Sequence, residues 1–419
     1  MYDDINISLW EISISLSSTI DMVEPSLVGH HKKVAYIALS IGRELGITQD
    51  QLNELFLAAI FHDIGAFSLK EKMSALNFDF NDSYHHANIG YKLLRMFKPF
   101  KKVADIVHFH HIPWKYGNGL YYMGYNVHMF SHIIHLSDRV AILINHDVPV
   151  LSQKDKICHT IDNYRNNLFN PEIVDAFLEL AKKEYFWLDI TSNFLADSIK
   201  QMIKLDDKMY IDMYDFVDLS TMFSKMIDFR SKYTSTHSSG VAACAKIMAK
   251  LAGFSETECT KITIAANLHD LGKLAIPSEI LNKPSRLSSF EYDIIKGHPF
   301  YTYKILSQIE GFSDIAKWAS FHHEHLDGTG YPFHLKGDEI PLVSRIVAIS
   351  DLFVALIENR PYRAGMDKKQ IIDILKEMAK NNYIDADILE LLIDNFDYIK
   401  HIVESAQIGA IDIYSDTIA

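Results

Sequence analysis

Two sets of seven His and Asp residues recur in the same order along this chain, and that duplication constrains its fold more than any other feature. His30 precedes His62-Asp63 by 32 residues, and His237 precedes His269-Asp270 by the same 32. His86 lies 24 residues before His110-His111, and His298 lies 24 before His322-His323. A late aspartate closes each set, Asp138 in HIIHLSDRVAIL and Asp351 in RIVAISDLFVAL, while Leu45-Gly46 and Ala252-Gly253 occupy matching places in between. One such coincidence could arise by chance, but an ordered set could not. The repeat unit is about 200 residues, far above solenoid periods, so whole domains have been duplicated.

Between these landmarks the sequence reads as helix. KKVAYIALSIGREL, VAACAKIMAKLA, KKQIIDILKEMAK and ADILELLIDNFDYIKHIVES place apolar residues three and four apart, the pattern of one buried face. INISLWEISISL alternates and would read as a strand by itself, but its repeat partner YIDMYDFVDLSTMFSKMIDF has a helical rhythm, so a helix is expected there. Gly117 to Gly124 and Asp327 to Gly337 are loops rich in Gly and Pro. The expectation is an all-α protein with two tandem helical domains, residues 1–188 and 232–419, joined by a helical connector over 189–231. The first domain should end near Leu188, in a helix running from Glu172 to Trp187. No low-complexity linker separates the copies, which predicts a packed, fairly rigid pair.

Composition limits the chemistry. With 419 residues there is room for two or three cores. The three cysteines, Cys158, Cys244 and Cys259, show no CxxC spacing, so a disulfide framework and a zinc–thiolate site are both unsupported. A net charge of −13 argues against nonspecific binding to DNA or RNA, yet local cations and bound metal can still make one pocket attractive to a small anion. No apolar run approaches a membrane span, and the N-terminus is acidic where a signal peptide would be positive, so a cytoplasmic protein is expected. Any metal must use imidazole and carboxylate. His237, His269, Asp270, His298, His322, His323 and Asp351 offer more ligands than one ion needs. Asp270 can bridge, and sites holding two ions roughly 3.5–4 Å apart hydrolyse phosphoesters.

The second copy contains LHDLGKLAIPSEILNKPSRLS, HPFYTYKIL, HHEHLDGTGYP, PLVSRIVAISDLF and NRPYRAG. From about Tyr233 to Met366 it resembles the HD phosphohydrolase superfamily, and specifically its HD-GYP branch of cyclic di-GMP phosphodiesterases. The resemblance implies a helical fold, a centre of two or three iron or manganese ions, and ligand roles for the seven residues named above. It implies that Asp270 and Lys273 take part in catalysis, Lys273 at the scissile phosphate or the bridging water. It further implies that Tyr331, Lys273, Arg360 and Arg363 contact the substrate. Gly272 fits the end of the helix carrying His269, and Gly328 and Gly330 permit backbone turns in the GYP loop. Trinuclear relatives carry a Glu four residues before the first His, where this chain has Tyr233, so two ions are expected. Val354 and His325 also depart from the family pattern.

The first copy keeps His30, His62, Asp63, His86, His110, His111 and Asp138 but has Ala66 in place of the lysine and PWKYGNGLYYMGY in place of the GYP loop. It lacks counterparts of Arg360 and Arg363. It is expected to be non-catalytic: a structural metal site, a nucleotide sensor, or a relic held by packing. For the whole chain the leading reading is hydrolysis of cyclic di-GMP to linear pGpG, and on to GMP, through a metal-activated hydroxide. Hybrid cyclic GMP-AMP is the alternative substrate. A non-catalytic adaptor that binds nucleotide or a partner, such as a diguanylate cyclase, is the rival from another class, and a homodimer is compatible with either.

Overall fold

A computed structural model describes residues 6–21, 29–66, 84–205, 209–230, 236–358 and 364–418. The chain divides into two compact units, Leu16–Tyr210 and Ile211–Ala419, the second also including the N-terminal segment to Ser15. Helices dominate both, and the described strands are only two residues long. The segment that alternates in sequence forms β1 (Ile7–Ser8) followed by helix α1 (Leu9–Ile20). Its polar positions include Ser13, Ser15 and Ser17, which are buried, so the alternation marks small residues inside a packed helix and not a two-faced strand.

In the first unit, α2 (His30–Glu44), α3 (Gln49–Ile60), α4 (Tyr84–Leu94), α5 (Lys101–His108) and α6 (Met129–Leu143) carry the seven-residue set. Helices α7 (Lys154–Asn163), α8 (Pro171–Ala181), α9 (Glu184–Thr191) and α10 (Leu195–Lys200) follow. The helix expected over Glu172–Trp187 is thus two helices, broken at Lys182-Lys183, with Trp187 buried and its indole N–H donating to the Ala181 carbonyl. The second unit repeats the order: α11 (Met213–Phe229), α12 (His237–Leu251), α13 (Glu256–Leu268), α14 (Ser278–Leu281), α15 (Ser289–Ile295), α16 (His298–Leu306), α17 (Ser313–Ser320) and α18 (Leu342–Ile357). Helices α19 (Lys368–Lys380), α20 (Ala386–Asp394) and α21 (Phe396–Ile418) complete it.

Local signals repeat as faithfully as the ligands. Gly46 (φ 71°) and Gly253 (φ 87°) close α2 and α12 in the left-handed conformation that glycine adopts without strain. Capping boxes Thr48/Gln51 and Ser255/Glu258 then start α3 and α13, satisfying amide groups the helix leaves open. Each unit has an apolar core beneath its ligand helices; in the second, Val241, Met248, Ile262, Val347, Phe353, Leu375 and Val403 pack together, so α12, α13, α18, α19 and α21 share one interior.

Gly272 does not act by ending a helix. It lies in a 3₁₀ turn, Leu271–Ala275, packed against α16. A Cβ on it would fall 1.9 Å from the His298 carbonyl oxygen, and Gly65 would put one 2.2 Å from that of His86. In both units the His-Asp turn therefore presses directly on the backbone of the next ligand helix. Thr302 fastens this contact, accepting from the Gly272 amide at 2.8 Å and donating to the His269 carbonyl at 3.1 Å. Gly272→Ala should lower unfolding free energy by roughly 2–3 kcal/mol or prevent folding, because backbone must move to admit the methyl. Gly409→Ala, where nothing lies within 4 Å, should raise stability by about 0.5–1 kcal/mol. Urea unfolding of the two variants would check the contrast.

Candidate metal centre

In the second unit, five elements bring the seven residues together. His237 opens α12, His269 and Asp270 leave the end of α13, His298 opens α16, His322 and His323 follow α17, and Asp351 lies within α18. His269, Asp270, His298 and His322 are almost entirely buried. Three imidazoles are fixed in one tautomer by the same device. The Nδ1–H of His269 donates to the Ala266 carbonyl at 2.7 Å, that of His298 to Ile295 at 2.7 Å, and that of His322 to Ala319 at 2.7 Å. Each donor lies three residues after its acceptor, so the helix end itself orients the ring. The Nε2 atoms then converge: those of His298 and His322 stand 3.3 Å apart. The Nε2 of His269 is buried and, among the described residues, has the Asp270 carboxylate at 3.2 Å as its ion-pair neighbour but no well-formed hydrogen bond.

Asp270 sits between the two halves of the cluster, one oxygen 3.2 Å from His269 and the other 3.3 Å from His298. Ligand atoms group as His298, His322 and His323 on one side and His237, His269 and Asp351 on the other, all within 4.8 Å inside each group. Facing lone pairs repel, and a buried unpaired polar atom costs about 1–3 kcal/mol. A bound cation removes both penalties, so the donor set fits divalent metal.

Charge divides the cluster: burial opposes charge on His269, but Asp270 beside it pushes that imidazole's pKa up. The imidazoles and Lys273 beside it outweigh burial and hold the Asp270 carboxyl well below the usual carboxylate range. Burial and the neighbouring imidazoles keep His322 neutral, and burial pushes His323 down to about 3. His237 goes the other way: burial opposes its charge, but Glu358 and Asp351, accepting from Nδ1 and Nε2 at 3.0 Å each, push it up to about 10. Lys273 pairs with the Asp270 oxygen nearest His269, which keeps its ammonium charged against the pull of burial. Tyr331 stacks on His323 with ring centroids 4.8 Å apart. Arg360, Arg363 and Tyr233 lie outside the described residues.

Several contributors went unremarked in the sequence. Glu324, next to the ligand His323, is buried and accepts from the Phe333 and Leu335 amides at 2.7 and 2.9 Å, which folds the GYP loop back over His323. Within that loop Gly328 needs its positive φ of 84°, whereas Gly330 is required by close approach, since a Cβ would lie 2.3 Å from the His325 amide nitrogen. Glu358 is seven residues, two helical turns, beyond Asp351, a spacing that signals one shared face. Asp228 accepts from the Ser238 hydroxyl at 2.6 Å, and burial pushes it up to about 6. Asp21 pairs likewise with His31; each aspartate precedes the first ligand histidine by nine residues, so the repeat extends further than the ligand list.

The first unit assembles the same cage. His62 and His110 donate Nδ1–H to the Ala59 and Val107 carbonyls at 2.8 and 2.7 Å, and their Nε2 atoms, with one oxygen of Asp63, are buried without hydrogen-bond partners among the described residues. His86 and His111 stand 3.1 Å apart at Nε2, and His30 meets Asp138 at 3.3 Å. Asp63, His86, His110 and His111 form one ligand group and His30, His62 and Asp63 another. Ala66 fills the lysine position, and the GYP loop is replaced by a short hairpin, Tyr121–Tyr122 against Tyr125–Asn126, whose Tyr121, Met123 and Tyr125 are exposed.

The HD domain family matches residues 221–388 and, separately, residues 27–166. The chain belongs to the HD-domain family, with two HD domains in tandem. This tandem HD protein is 26% identical over 400 residues to the Vibrio cholerae 3'3'-cGAMP-specific phosphodiesterase 1, covering 93% of this chain and 92% of that one. A stretch of 175 residues is 37% identical to the cyclic di-GMP phosphodiesterase response regulator RpfG of Xanthomonas campestris, 40% of this chain and 46% of that protein. A cyclic GMP-AMP phosphodiesterase crystal structure from V. cholerae has the same fold, with a TM-score of 0.63, 24% identity, and coverage of 94% and 98% of the two chains. None of the described helices is long and apolar enough to cross a membrane.

Near the first centre, His132 lies on α6 with only 2% of its surface exposed, and burial pushes it down to about 4. The unfolded chain takes up a proton at this residue near pH 6.5 while the folded chain stays neutral, so its stabilising contribution is complete above pH 6.5 and is lost as pH falls towards 4. His132→Phe should flatten stability against pH across that window by up to about 3 kcal/mol. Urea unfolding of metal-free protein at pH 4.5 and 7.5 measures it.

Proposed function

We propose that the chain is a metal-dependent phosphodiesterase that opens a cyclic dinucleotide second messenger in the cytoplasm, cyclic di-GMP to linear pGpG and then GMP. The converging Nε2 lone pairs of the C-terminal HD domain, with Lys273 seated on the bridging Asp270, carry this reading. His237, His269, Asp270, His298, His322, His323 and Asp351 would hold two divalent ions, iron or manganese by ligand type. When bound, such ions supply Lewis acidity towards phosphate and an activated water.

The protein's own groups do the rest. Asp270 keeps Lys273 protonated, so a fixed positive charge stands where negative charge accumulates on the reacting phosphate. Glu358 accepts from His237 Nδ1 and orients that ring, while its other oxygen accepts from the Gln407 amide at 2.6 Å. Tyr331, stacked on His323 with the Lys296 ammonium 5.9 Å from its ring centre, forms a wall against which a base or ribose can rest. Arg360 and Arg363 are assigned the distal phosphate on motif alone. A second substrate, 3'3'-cGAMP, is favoured by a specific observation: the relatives matched through both domains are named for it, and the cyclic di-GMP enzymes match half of the chain or less. The N-terminal HD domain is a non-catalytic metal site, since it lacks the lysine and the GYP loop.

Side-by-side turnover of both dinucleotides by chain loaded with Mn²⁺ or Fe²⁺ decides the reading, and no hydrolysis of either would refute it in favour of an adaptor. Lys273→Met should lower kcat by about 10²–10³-fold with the metal content kept. Asp270→Ala should abolish turnover and shed metal together, as elemental analysis of the same sample would show.

A further inference from the structure

We propose, on the phosphodiesterase reading above, that Arg230 is a positioning residue for Lys273: its guanidinium holds the backbone from which the lysine reaches Asp270. Arg230 directly follows α11 and is buried, with 6% of its surface exposed. Its Nη1 donates to the Lys273 carbonyl at 2.9 Å and its Nη2 to the Ile276 carbonyl at 3.0 Å. Those carbonyls flank the end of the 3₁₀ turn Leu271–Ala275, so one planar fork spans the exit of the turn. The Arg230 backbone is tied to the same stretch. The Asn282 side-chain amide donates to the Arg230 carbonyl at 2.9 Å and to that of Ser278 at 3.0 Å. Burial pushes the guanidinium down to about 10, which leaves it charged at neutral pH.

The turn is thereby held from two elements. Gly272 and Thr302 fix it to α16, and Arg230 fixes its far end to the close of α11. A lysine stem is long and flexible, and aiming its ammonium already costs rotamer freedom. A mobile backbone beneath it would let the ammonium drift from where charge develops, and a misplacement of about 1 Å can cost about 100-fold in rate. The duplication gives an independent argument. Asp228, His269, Asp270 and Gly272 recur as Asp21, His62, Asp63 and Gly65 at the same 207-residue interval that separates His237 from His30. At that interval Lys273 becomes Ala66 and Arg230 becomes Val23. The copy without the lysine is also without the arginine, as expected if the second serves the first.

Turnover per bound manganese is compared in the full-length parent chain, Arg230→Gln, Lys273→Met and the double variant. Arg230→Gln should lower kcat roughly 10–100-fold with KM and manganese content kept. With Lys273→Met already present, the same change should cost less than about twofold, because the two residues act through one ammonium. A residue that only supports the fold would cost the same factor in both backgrounds, and that result would overturn the proposal. Arg230→Lys, which keeps the charge but not the fork, replaces the glutamine variant if that chain does not fold, with the same pattern expected. A second readout needs no turnover. Limiting acetic anhydride, followed by peptide mass spectrometry, should acetylate Lys273 several-fold faster in Arg230→Gln than in the parent, while the half-exposed Lys250 reacts at the parent rate. An unchanged rate at Lys273 would overturn the clamp. Should the parent chain turn over neither dinucleotide, the phosphodiesterase reading falls, and the acetylation rates still decide for or against the clamp.

Discussion

The histidine cages depend on one hydrogen bond used repeatedly, from Nδ1–H to the backbone carbonyl three residues earlier. Each imidazole caps a carbonyl near a helix end, where the helix leaves acceptor capacity open. The ring's tautomer and direction are thereby set before any metal arrives. His62, His110, His269, His298 and His322 are all held this way. The helix termini thus aim a set of ring nitrogens inward, where they are buried. Metal affinity here is a product of backbone geometry as much as of ligand identity.

Seen through that constraint, the two domains are one cage with two charge arrangements. The C-terminal copy has an accessible cation, Lys273, on Asp270 and a further carboxylate, Glu358, behind its first histidine. The N-terminal copy has neither at those places, and carries an inaccessible guanidinium, that of Arg139, on its last carboxylate. Catalysis needs a charge that can face a substrate; Lys273 is a quarter exposed, and Arg139 is not. Duplication preserved the cage of histidines and aspartates and let the charged groups around it diverge.

Most of this was legible in the sequence because it was periodic. The repeated spacings located the fold class, both seven-residue sets and the asymmetry at Ala66, since ligand order survives duplication and can be read by counting. The contributions that escaped notice act through space with no motif to announce them. Glu324 hides inside a motif whose histidines and glycines draw attention, and its partners are backbone amides, which any sequence supplies. Gly272 looked like a helix stop because glycine usually is one, but here its role is the contact made by an absent side chain. The break of one expected helix at Lys182-Lys183 follows from Trp187 turning in to reach the Ala181 carbonyl, a tertiary choice that apolar rhythm does not encode.

The bond from Gln407 to Glu358 gives the last helix a meaning beyond packing. Gln407 lies midway along α21, 49 residues after Glu358, yet it stands two hydrogen bonds from the His237 imidazole. A purification tag, a fusion joint or a C-terminal truncation that disturbs the register of α21 would reach the His237 imidazole through that relay. What looks on a domain map like a dispensable tail is, in engineering terms, a mounting bracket for the first ligand.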